Sequence, residues 1–222
     1  MAQEQQSPFL IILFGGLFFI VFVLLVVALL PKQTVVFTDE EDVSQSALVQ
    51  SYDPVLGDEE TADVLIFHYG DFLCEACGDV AASLERIAQD YGDSVAIVWK
   101  DFPNVTANPL APSAALAARC AGKQEAFWPY HDQLFANQRD ITEEKASELY
   151  AAIAEELDLG IWRFNRCMSK EQTFEDLESS YSDSLDLELT GAPTVRINDE
   201  WFTGNISEQE LRTAITTLPL DL

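Results

Sequence analysis

The chain has 222 residues, and its 12 lysines and arginines against 38 aspartates and glutamates give a formal charge of −26. This balance argues against binding to nucleic acid or to an anionic membrane surface, because both partners select basic clusters. Roughly 190 residues follow the first apolar stretch, which suits one domain of ordinary size.

The first feature along the chain, after a short N-terminal tail of residues 1–8, is the uncharged apolar run 9–30. About 20 apolar residues cross a bilayer as a helix, so residues 9–30 are predicted to form a single transmembrane helix. A cleaved signal peptide is the alternative, but its apolar core is usually about 7–15 residues and follows a basic segment, which residues 1–8 lack. The sequence therefore predicts a membrane anchor.

The orientation of this anchor rests on cysteine chemistry. The positive-inside rule gives only a weak bias, since Lys32 follows the span and no basic residue precedes it. Disulfides persist in oxidising compartments, so the cysteine pattern described below favours the outside of the cytoplasm. The prediction is a single-pass membrane protein with its main domain on the extracytoplasmic side.

A polar, acidic segment, residues 31–61, follows the anchor and is predicted to be a stalk leading into a domain at 62–222. The domain opens with the run Val64–Tyr69, which has the length and composition of a buried strand. Gly70 and Asp71 then supply turn chemistry. A strand and a turn therefore precede the first cysteine.

Two cysteines three positions apart, Cys74 and Cys77, follow this turn at the start of a segment with helical spacing that extends to Tyr91. The N–H groups and the dipole of a helix N-terminus stabilise a thiolate, so Cys74 is predicted to have a lowered pKa and to act as a nucleophile. Cys77 lies one turn inside the helix. Glu75 beside the thiolate is expected to oppose this effect and to raise the pKa of Cys74 somewhat, unless its side chain points into solvent.

A second strand over residues 94–102 completes a strand-helix-strand unit, which requires a parallel pairing. Helical patterns then fill an insertion at about 108–188. A glycine and proline turn feeds a third strand, and a last helix begins near Ser207, where Glu210 completes a capping box. This order predicts an α/β domain with an inserted helical subdomain.

A lone Cys-x-x-Cys motif is compatible with zinc binding, with an inert buried disulfide or with thiol-disulfide exchange. Zinc needs four ligands, and the remaining candidates supply neither a second cysteine pair nor closely spaced histidines. These candidates are His68, His131, Cys120 and Cys167. In the exchange hypothesis Cys74 forms a mixed disulfide with a substrate and Cys77 resolves it, without a metal or a cofactor.

Several short motifs in their joint order resemble a DsbA-like thiol-disulfide oxidoreductase of the thioredoxin superfamily. The resemblance covers about residues 60–218 and is carried by Asp71-Phe72-Leu73-Cys74-Glu75-Ala76-Cys77, Lys100-Asp101-Phe102-Pro103, Ala117-Ala118-Arg119-Cys120-Ala121, Phe127-Trp128-Pro129-Tyr130-His131, Leu134-Phe135 and Gly191-Ala192-Pro193-Thr194.

This resemblance implies a thioredoxin-like fold in which Pro193 is a cis-proline facing the Cys74 sulfur and the backbone of Ala192 pairs with an extended substrate. It also implies extracytoplasmic thiol or disulfide proteins as partners, and a quinone-linked membrane protein that reoxidises the domain. Glu75 and Ala76 between the cysteines, and Ala192 before the proline, depart from the best-known members. The direction of exchange, whether oxidase, isomerase or reductase, is therefore left open.

Two further cysteines, Cys120 and Cys167, lie 47 positions apart in the helical insertion. An even cysteine count in an extracytoplasmic domain favours a structural disulfide between them, with two free buried thiols as the alternative. His68 and His131 are interpreted as core or packing residues. Asp71 is interpreted as a satisfied turn residue and Lys100 as a solvated lysine.

The alternative to an enzyme is a non-catalytic interaction domain of the same fold, tethered to the membrane. Such a domain uses its acidic surface or the groove at Pro193 to bind a partner. Resistance of the Cys74–Cys77 pair to exchange with glutathione distinguishes it from an oxidoreductase.

Overall fold

The structure, a computed structural model, describes residues 48–169 and 171–217. None of the helices within these ranges is both long and apolar enough to cross a bilayer. The predicted anchor at 9–30 lies outside the described residues.

Five strands and seven helices make up the described part of the chain. The strands are β1 (Val55–Leu56), β2 (Val64–Gly70), β3 (Val95–Asp101), β4 (Thr194–Ile197) and β5 (Glu200–Thr203). The helices are α1 (Glu75–Tyr91), α2 (Ala111–Gly122), α3 (Phe127–Ala136), α4 (Ala146–Glu156), α5 (Ile161–Met168), α6 (Glu171–Asp186) and α7 (Glu208–Thr216).

The strands form one mixed sheet in the order β1-β3-β2-β4-β5. β2 and β3 pair in parallel with Val64 opposite Val95, as the strand-helix-strand pattern predicted, while β4 runs antiparallel to β2. Every residue of β2 and β3 is buried, because helices cover both faces of the sheet. This arrangement is the predicted thioredoxin-like α/β fold.

Alternate residues of the central strands enter two separate apolar cores. Val64 and Ile66 of β2 pack with Leu84 of α1 and Leu211 of α7 on one face. Leu65 and its alternating neighbours face the opposite core, together with Tyr181 of α6. The two-residue period of a strand thus places α1, which carries the cysteines, directly on the sheet.

The helices α2 to α6 form the inserted subdomain, within the predicted range of about 108–188. They enclose a third apolar core, in which small alanines of α2 allow close packing with Tyr130 of α3 and Ile153 of α4. A disulfide joins Cys120 of α2 to Cys167 of α5, with 5.6 Å between their Cα atoms. Closing a loop of this length stabilises a fold by about 4 kcal/mol on the chain-entropy model.

Residues 48–61 differ from the predicted stalk, because they pack on the domain. β1 pairs antiparallel with β3, and the Lys100 ammonium forms an ion pair with Asp53. Tyr52 accepts a hydrogen bond from Arg119 at its carbonyl oxygen and donates one from its hydroxyl to Asp183. A two-residue strand has no detectable periodicity, so the sequence placed the start of the domain too late.

Lys100 also differs from its prediction as a solvated residue. It is 3% exposed and contacts the carboxylates of both Asp53 and Asp183. These two acids lie 47 residues before and 83 residues after it in the chain, so no local pattern reveals the pairing. The lysine therefore connects the segment before β1 to helix α6.

Candidate active site

Cys74 is the N-cap residue of α1, with φ −97° and ψ 115°, and it is partly exposed. Its sulfur accepts a hydrogen bond from the backbone N–H of Cys77 at 3.2 Å. Strand β2 ends at Gly70, a turn over Asp71–Cys74 follows in which the N–H of Cys74 donates to the carbonyl of Asp71, and the apolar face of α1 packs the helix on the sheet. The predicted position of Cys74 at a helix N-terminus is what the structure shows.

The two thiols differ in burial and in proton affinity. The Cys77 side chain donates a hydrogen bond to the Cys74 sulfur, and this bond is the main reason that the pKa of Cys74 lies below its ordinary value. Cys77 itself is fully buried, and burial raises its pKa. One sulfur is thus available as a thiolate while the other is kept as a thiol behind it.

Glu75 does not have the predicted effect on Cys74. Its side chain is 73% exposed, and one carboxylate oxygen lies 2.6 Å from the Arg139 guanidinium. The pKa of Cys74 is lowered rather than raised. Solvent screening and the neighbouring cation explain the difference, since both weaken the repulsion between the carboxylate and a thiolate.

Asp71 is a buried turn residue, in agreement with its interpretation from the sequence. One carboxylate oxygen accepts a hydrogen bond from the N–H of Leu73 at 2.7 Å, and the other accepts one from Asn104 at 2.9 Å. Burial raises the pKa of Asp71. The carboxylate holds the turn before Cys74 against the loop that follows β3.

The turn before β4 forms the wall opposite Cys74. The peptide bond between Ala192 and Pro193 is cis, and the carbonyl oxygen of Ala192 lies 3.7 Å from the Cys74 sulfur. Thr194 donates a hydrogen bond from its hydroxyl to the carbonyl of Gly191, which closes the turn. The antiparallel pairing of β4 with β2 brings this turn to the cysteines.

The structure thus brings four of the predicted site residues together, namely Cys74, Cys77, Ala192 and Pro193. Cys120 and Cys167 lie apart from them in the helical subdomain, where they are bonded to each other. Within the described ranges, no group of three or more histidine, cysteine or acidic side chains is arranged to hold a metal ion. The disulfide also takes up two of the four zinc ligands considered from the sequence.

Gln138 is a site residue that the sequence did not reveal. It lies in a short 3₁₀ turn after α3, and its side-chain amide donates hydrogen bonds to the carbonyl oxygens of Phe72 at 2.7 Å and Cys74 at 2.9 Å. These two carbonyls flank Leu73, so a single side chain fastens the helical subdomain to the active-site turn. An isolated glutamine in a polar segment carries no sequence signal for such a role.

Comparisons with known proteins agree with this geometry. A family model described as thioredoxin matches residues 50–217. The chain belongs to the thioredoxin family. The match begins at residue 50, close to the start of the described domain, and the chain spans about a quarter of the length of the first curated relatives that it matches.

Three relatives illustrate the similarity. A probable disulfide bond formation protein D from Bacillus cereus is 26% identical over 170 residues, which cover 73% of this chain and 78% of that protein. A Na(+)/H(+) antiporter NhaA 1 from Salinispora arenicola is 32% identical over 166 residues, or 74% of this chain, but only 24% of the antiporter. The crystal structure of Wolbachia pipientis alpha-DsbA1 superimposes with a TM-score of 0.68 at 20% identity, covering 78% of this chain and 94% of that one.

Replacing Gln138 with alanine is expected to lower the free energy of unfolding by about 1–3 kcal/mol, because the part-buried carbonyl of Phe72 loses its side-chain donor and the carbonyl of Cys74 keeps only the N–H groups of Cys77 and Gly78. The rate at which iodoacetamide alkylates Cys74 is expected to vary with pH without a single midpoint, because the turn is no longer held in one conformation. Urea unfolding and iodoacetamide kinetics measure the two effects. Gln89→Ala, which removes only an exposed bond to Glu85, is the matched control.

An unchanged unfolding midpoint in the Gln138→Ala protein would show that the amide is dispensable for holding the turn.

Proposed function

We propose that this protein is a thiol-disulfide oxidoreductase that exchanges disulfides with other proteins through Cys74 and Cys77. The observation that carries the proposal is the position of the Cys74 sulfur. This sulfur accepts a hydrogen bond from a backbone N–H at a helix N-terminus and lies 3.7 Å from the carbonyl oxygen of Ala192. A sulfur in that position is both nucleophilic and next to backbone that can pair with an extended peptide.

In the oxidising direction the reaction begins with a Cys74–Cys77 disulfide. A substrate thiolate attacks the Cys74 sulfur, the Cys74–Cys77 bond breaks, and Cys77 leaves and takes up a proton. A second substrate thiolate then attacks the substrate sulfur of the mixed disulfide and releases Cys74 as a thiolate. The substrate loses two electrons to form a disulfide, and the protein gains them as a dithiol.

The electrostatics of the site favour this oxidising direction. Hydrogen bonds to the Cys74 sulfur stabilise its thiolate, and a stabilised thiolate in the reduced form makes the disulfide a stronger oxidant. Glu75 is turned toward Arg139 and does not cancel this effect. We therefore assign to the pair the role of accepting electrons from substrate thiols.

We further propose that the domain acts outside the cytoplasm on a membrane tether. The disulfide between Cys120 and Cys167 supports an oxidising compartment, and the apolar run at 9–30 supports the tether. Extracytoplasmic proteins with pairs of thiols are the proposed substrates. Each cycle leaves the protein reduced, so a membrane protein linked to a quinone is the proposed reoxidising partner.

The thiolate of Cys74 is the measurable sign of this chemistry. The rate at which iodoacetamide alkylates reduced Cys74 is expected to show a midpoint below pH 8.5, the ordinary value of a free cysteine, while Cys77 stays unmodified. The equilibrium of the pair with glutathione is expected to lie well above the potential of about −270 mV that is typical of thioredoxin. A midpoint above pH 8.5 together with a potential below that value would overturn the oxidising assignment.

In the reduced protein, the free energy of unfolding is expected to change with pH as Cys74 titrates. Because the pKa of Cys74 is lower in the folded state than in the unfolded chain, its contribution is full above the unfolded pKa and is lost as the pH falls through the folded pKa. Cys77 contributes no opposite change below its ordinary pKa, since burial raises its pKa. The thermal midpoint of the reduced protein, measured against that of the oxidised one, is expected to rise as the pH increases from below the folded pKa of Cys74 to the unfolded value of about 8.5.

A further inference from the structure

Asp71 is a buried carboxylate that the exchange reaction described above does not use. It is 4% exposed and lies in the turn that leads directly to Cys74. The backbone N–H of Cys74 donates to the carbonyl oxygen of Asp71 at 3.1 Å, and the N–H of Leu73 donates to one of its carboxylate oxygens at 2.7 Å. The other carboxylate oxygen accepts the N–H of Asn104 at 2.9 Å. The carboxylate is therefore held in one position inside the active-site turn.

The negative charge of Asp71 is not neutralised by a cation. In the part of the chain that the structure describes, none of the ion pairs includes Asp71. Two other acids near the turn differ in this respect, since Glu75 pairs with Arg139. Asp101, at the end of β3, pairs with Arg119. The two N–H groups stabilise the ionised carboxylate of Asp71 but leave its charge in place, and charges interact more strongly inside a protein than in water.

A buried anion at this position disfavours a second negative charge on either cysteine. Hydrogen bonding from Cys77 is the main reason that the pKa of Cys74 is lowered, and the charge of Asp71 opposes part of that decrease. Burial is the main reason that the pKa of Cys77 is raised, and the charge of Asp71 adds to the increase. A thiolate next to this carboxylate exists only in the reduced protein, because the disulfide carries no charge.

We propose that Asp71 lowers the redox potential of the Cys74–Cys77 pair, because its carboxylate repels the Cys74 thiolate of the reduced protein. The repulsion destabilises the reduced form and leaves the neutral disulfide unchanged, so the pair is a weaker oxidant than the same site without the charge. Asp71 acts through Cys74 and does not contact the substrate, so it is a positioning residue.

This inference rests on the proposed function and deepens it. The hydrogen bonds to the Cys74 sulfur favour the transfer of electrons from substrate thiols to the pair, while the charge of Asp71 limits how strongly that transfer is favoured. A pair of lower potential is also oxidised again more easily. Asp71 therefore balances the two halves of the cycle, the oxidation of substrate and the reoxidation of the protein.

Asp71→Asn removes the charge and keeps the shape of the side chain. Its amide oxygen still accepts the N–H of Leu73, and the domain loses a buried charge that had no counter-charge, so the fold is retained. The bond from Asn104 is lost in this variant. Asp71→Ser is a second neutral variant with different hydrogen bonding, because a serine hydroxyl in a turn also accepts an N–H two residues later.

The equilibrium of the full chain with glutathione tests the proposal, at a pH above the iodoacetamide midpoint of Cys74 in the wild-type protein. The equilibrium constant is expected to shift about 3–30-fold toward the reduced protein in Asp71→Asn. At 29.6 mV for each factor of ten, this shift raises the potential by about 15–45 mV. The iodoacetamide midpoint of Cys74 is expected to fall by about 0.5–1.5 pH units. Asp71→Ser is expected to shift both quantities in the same direction and decides the outcome where Asp71→Asn fails to fold.

The pH dependence separates a charge effect from a change in the packing of the turn. Below the midpoint of the variant, Cys74 is a thiol in both proteins, so the difference in potential is expected to disappear. A change in packing instead shifts the potential by the same amount at every pH. The other titratable groups on the elements around the turn are the same in both proteins and do not enter the difference; they are Cys77, His68, Asp101 and His131.

Glu75→Gln is the matched control, because it removes a carboxylate next to Cys74 that is exposed and paired with Arg139. It is expected to change neither the midpoint nor the potential. Equal midpoints and potentials in the wild-type and Asp71→Asn proteins, or a difference in potential that is constant with pH, overturn the role of Asp71. A wild-type pair that does not exchange with glutathione at all overturns the proposed function instead.

Discussion

Replacing Cys74 with serine is expected to lower disulfide exchange by about 10³-fold or more, because the variant has no sulfur that attacks or is attacked. A serine hydroxyl at the same N-cap keeps the helix start, since serine is a favoured N-cap residue, so the fold is retained. Oxidation of a dithiol peptide and reduction of insulin measure the activity in both directions. Ala76→Ser is the matched control, because it adds a hydroxyl between the cysteines and keeps both thiols.

Replacing Cys77 with serine is expected to separate the two halves of the reaction. Cys74 still attacks a substrate disulfide, but no buried thiol resolves the mixed disulfide, so one substrate remains bound per chain. Non-reducing electrophoresis and mass spectrometry detect this adduct. Full activity in the Cys74→Ser protein, or a wild-type pair that resists exchange with glutathione, would instead support the tethered interaction domain.

The sequence was sufficient to predict the features that local patterns encode. The apolar run at 64–69, the turn after it and the helical spacing after Cys74 place a sulfur at a helix N-terminus, which the structure shows. The capping box of Ser207 and Glu210 at α7 is likewise present. In each case the residues involved lie within a few positions of one another, so a short window contains the whole signal.

The cis peptide before Pro193 was implied by the resemblance and not by the residues themselves. Alone, the turn at 191–194 is also compatible with a trans proline that starts a strand. The pairing of β4 with β2 holds the turn against Cys74, and this pairing joins strands more than 120 residues apart in the chain. Only the combined order of motifs along the chain contains that information.

Contacts between distant, individually unremarkable residues could not be predicted. Glu75 was expected to act on the neighbouring thiol, but Arg139, 64 positions later, draws its side chain away. Lys100 was expected in solvent because its partners, Asp53 and Asp183, belong to a supposed stalk and to a helix of the insertion. Tertiary packing determines these pairings, and the charges and periodicity of the sequence near Glu75 and Lys100 do not predict them.

Because of such contacts, the domain includes the segment at 48–61, which lies before the predicted start at residue 62. Its acidic residues resemble a solvated linker in composition, yet Tyr52 and Asp53 contact the buried cations of β3 and α2. A cation inside a domain needs a partner that compensates for its desolvation. The segment at 48–61 supplies such partners, so it packs on the domain although its composition is typical of a solvated linker. The same network includes the ion pair between Arg119 and the fully buried Asp101.

Replacing Arg119 with methionine is expected to lower the free energy of unfolding by about 3–5 kcal/mol. Arg119 donates from its Nε to Asp101, which is fully buried, and from an Nη atom to the carbonyl of Tyr52. Without the guanidinium, Asp101 retains the Trp99 indole as a side-chain donor, and a buried carboxylate loses its counter-charge. Urea unfolding under non-reducing conditions measures the change.

A charge-neutral double variant, Asp101→Asn with Arg119→Met, is expected to recover most of this loss, because no unpaired charge then remains inside the domain. The exposed pair of Arg86 and Glu208 is the matched control, and Arg86→Met is expected to cost about 0–1 kcal/mol. A loss below about 1 kcal/mol for Arg119→Met would mean that water reaches Asp101. In that case the contacts of Tyr52 and Asp53, rather than the buried charge of Asp101, fasten the segment before β1 to the sheet.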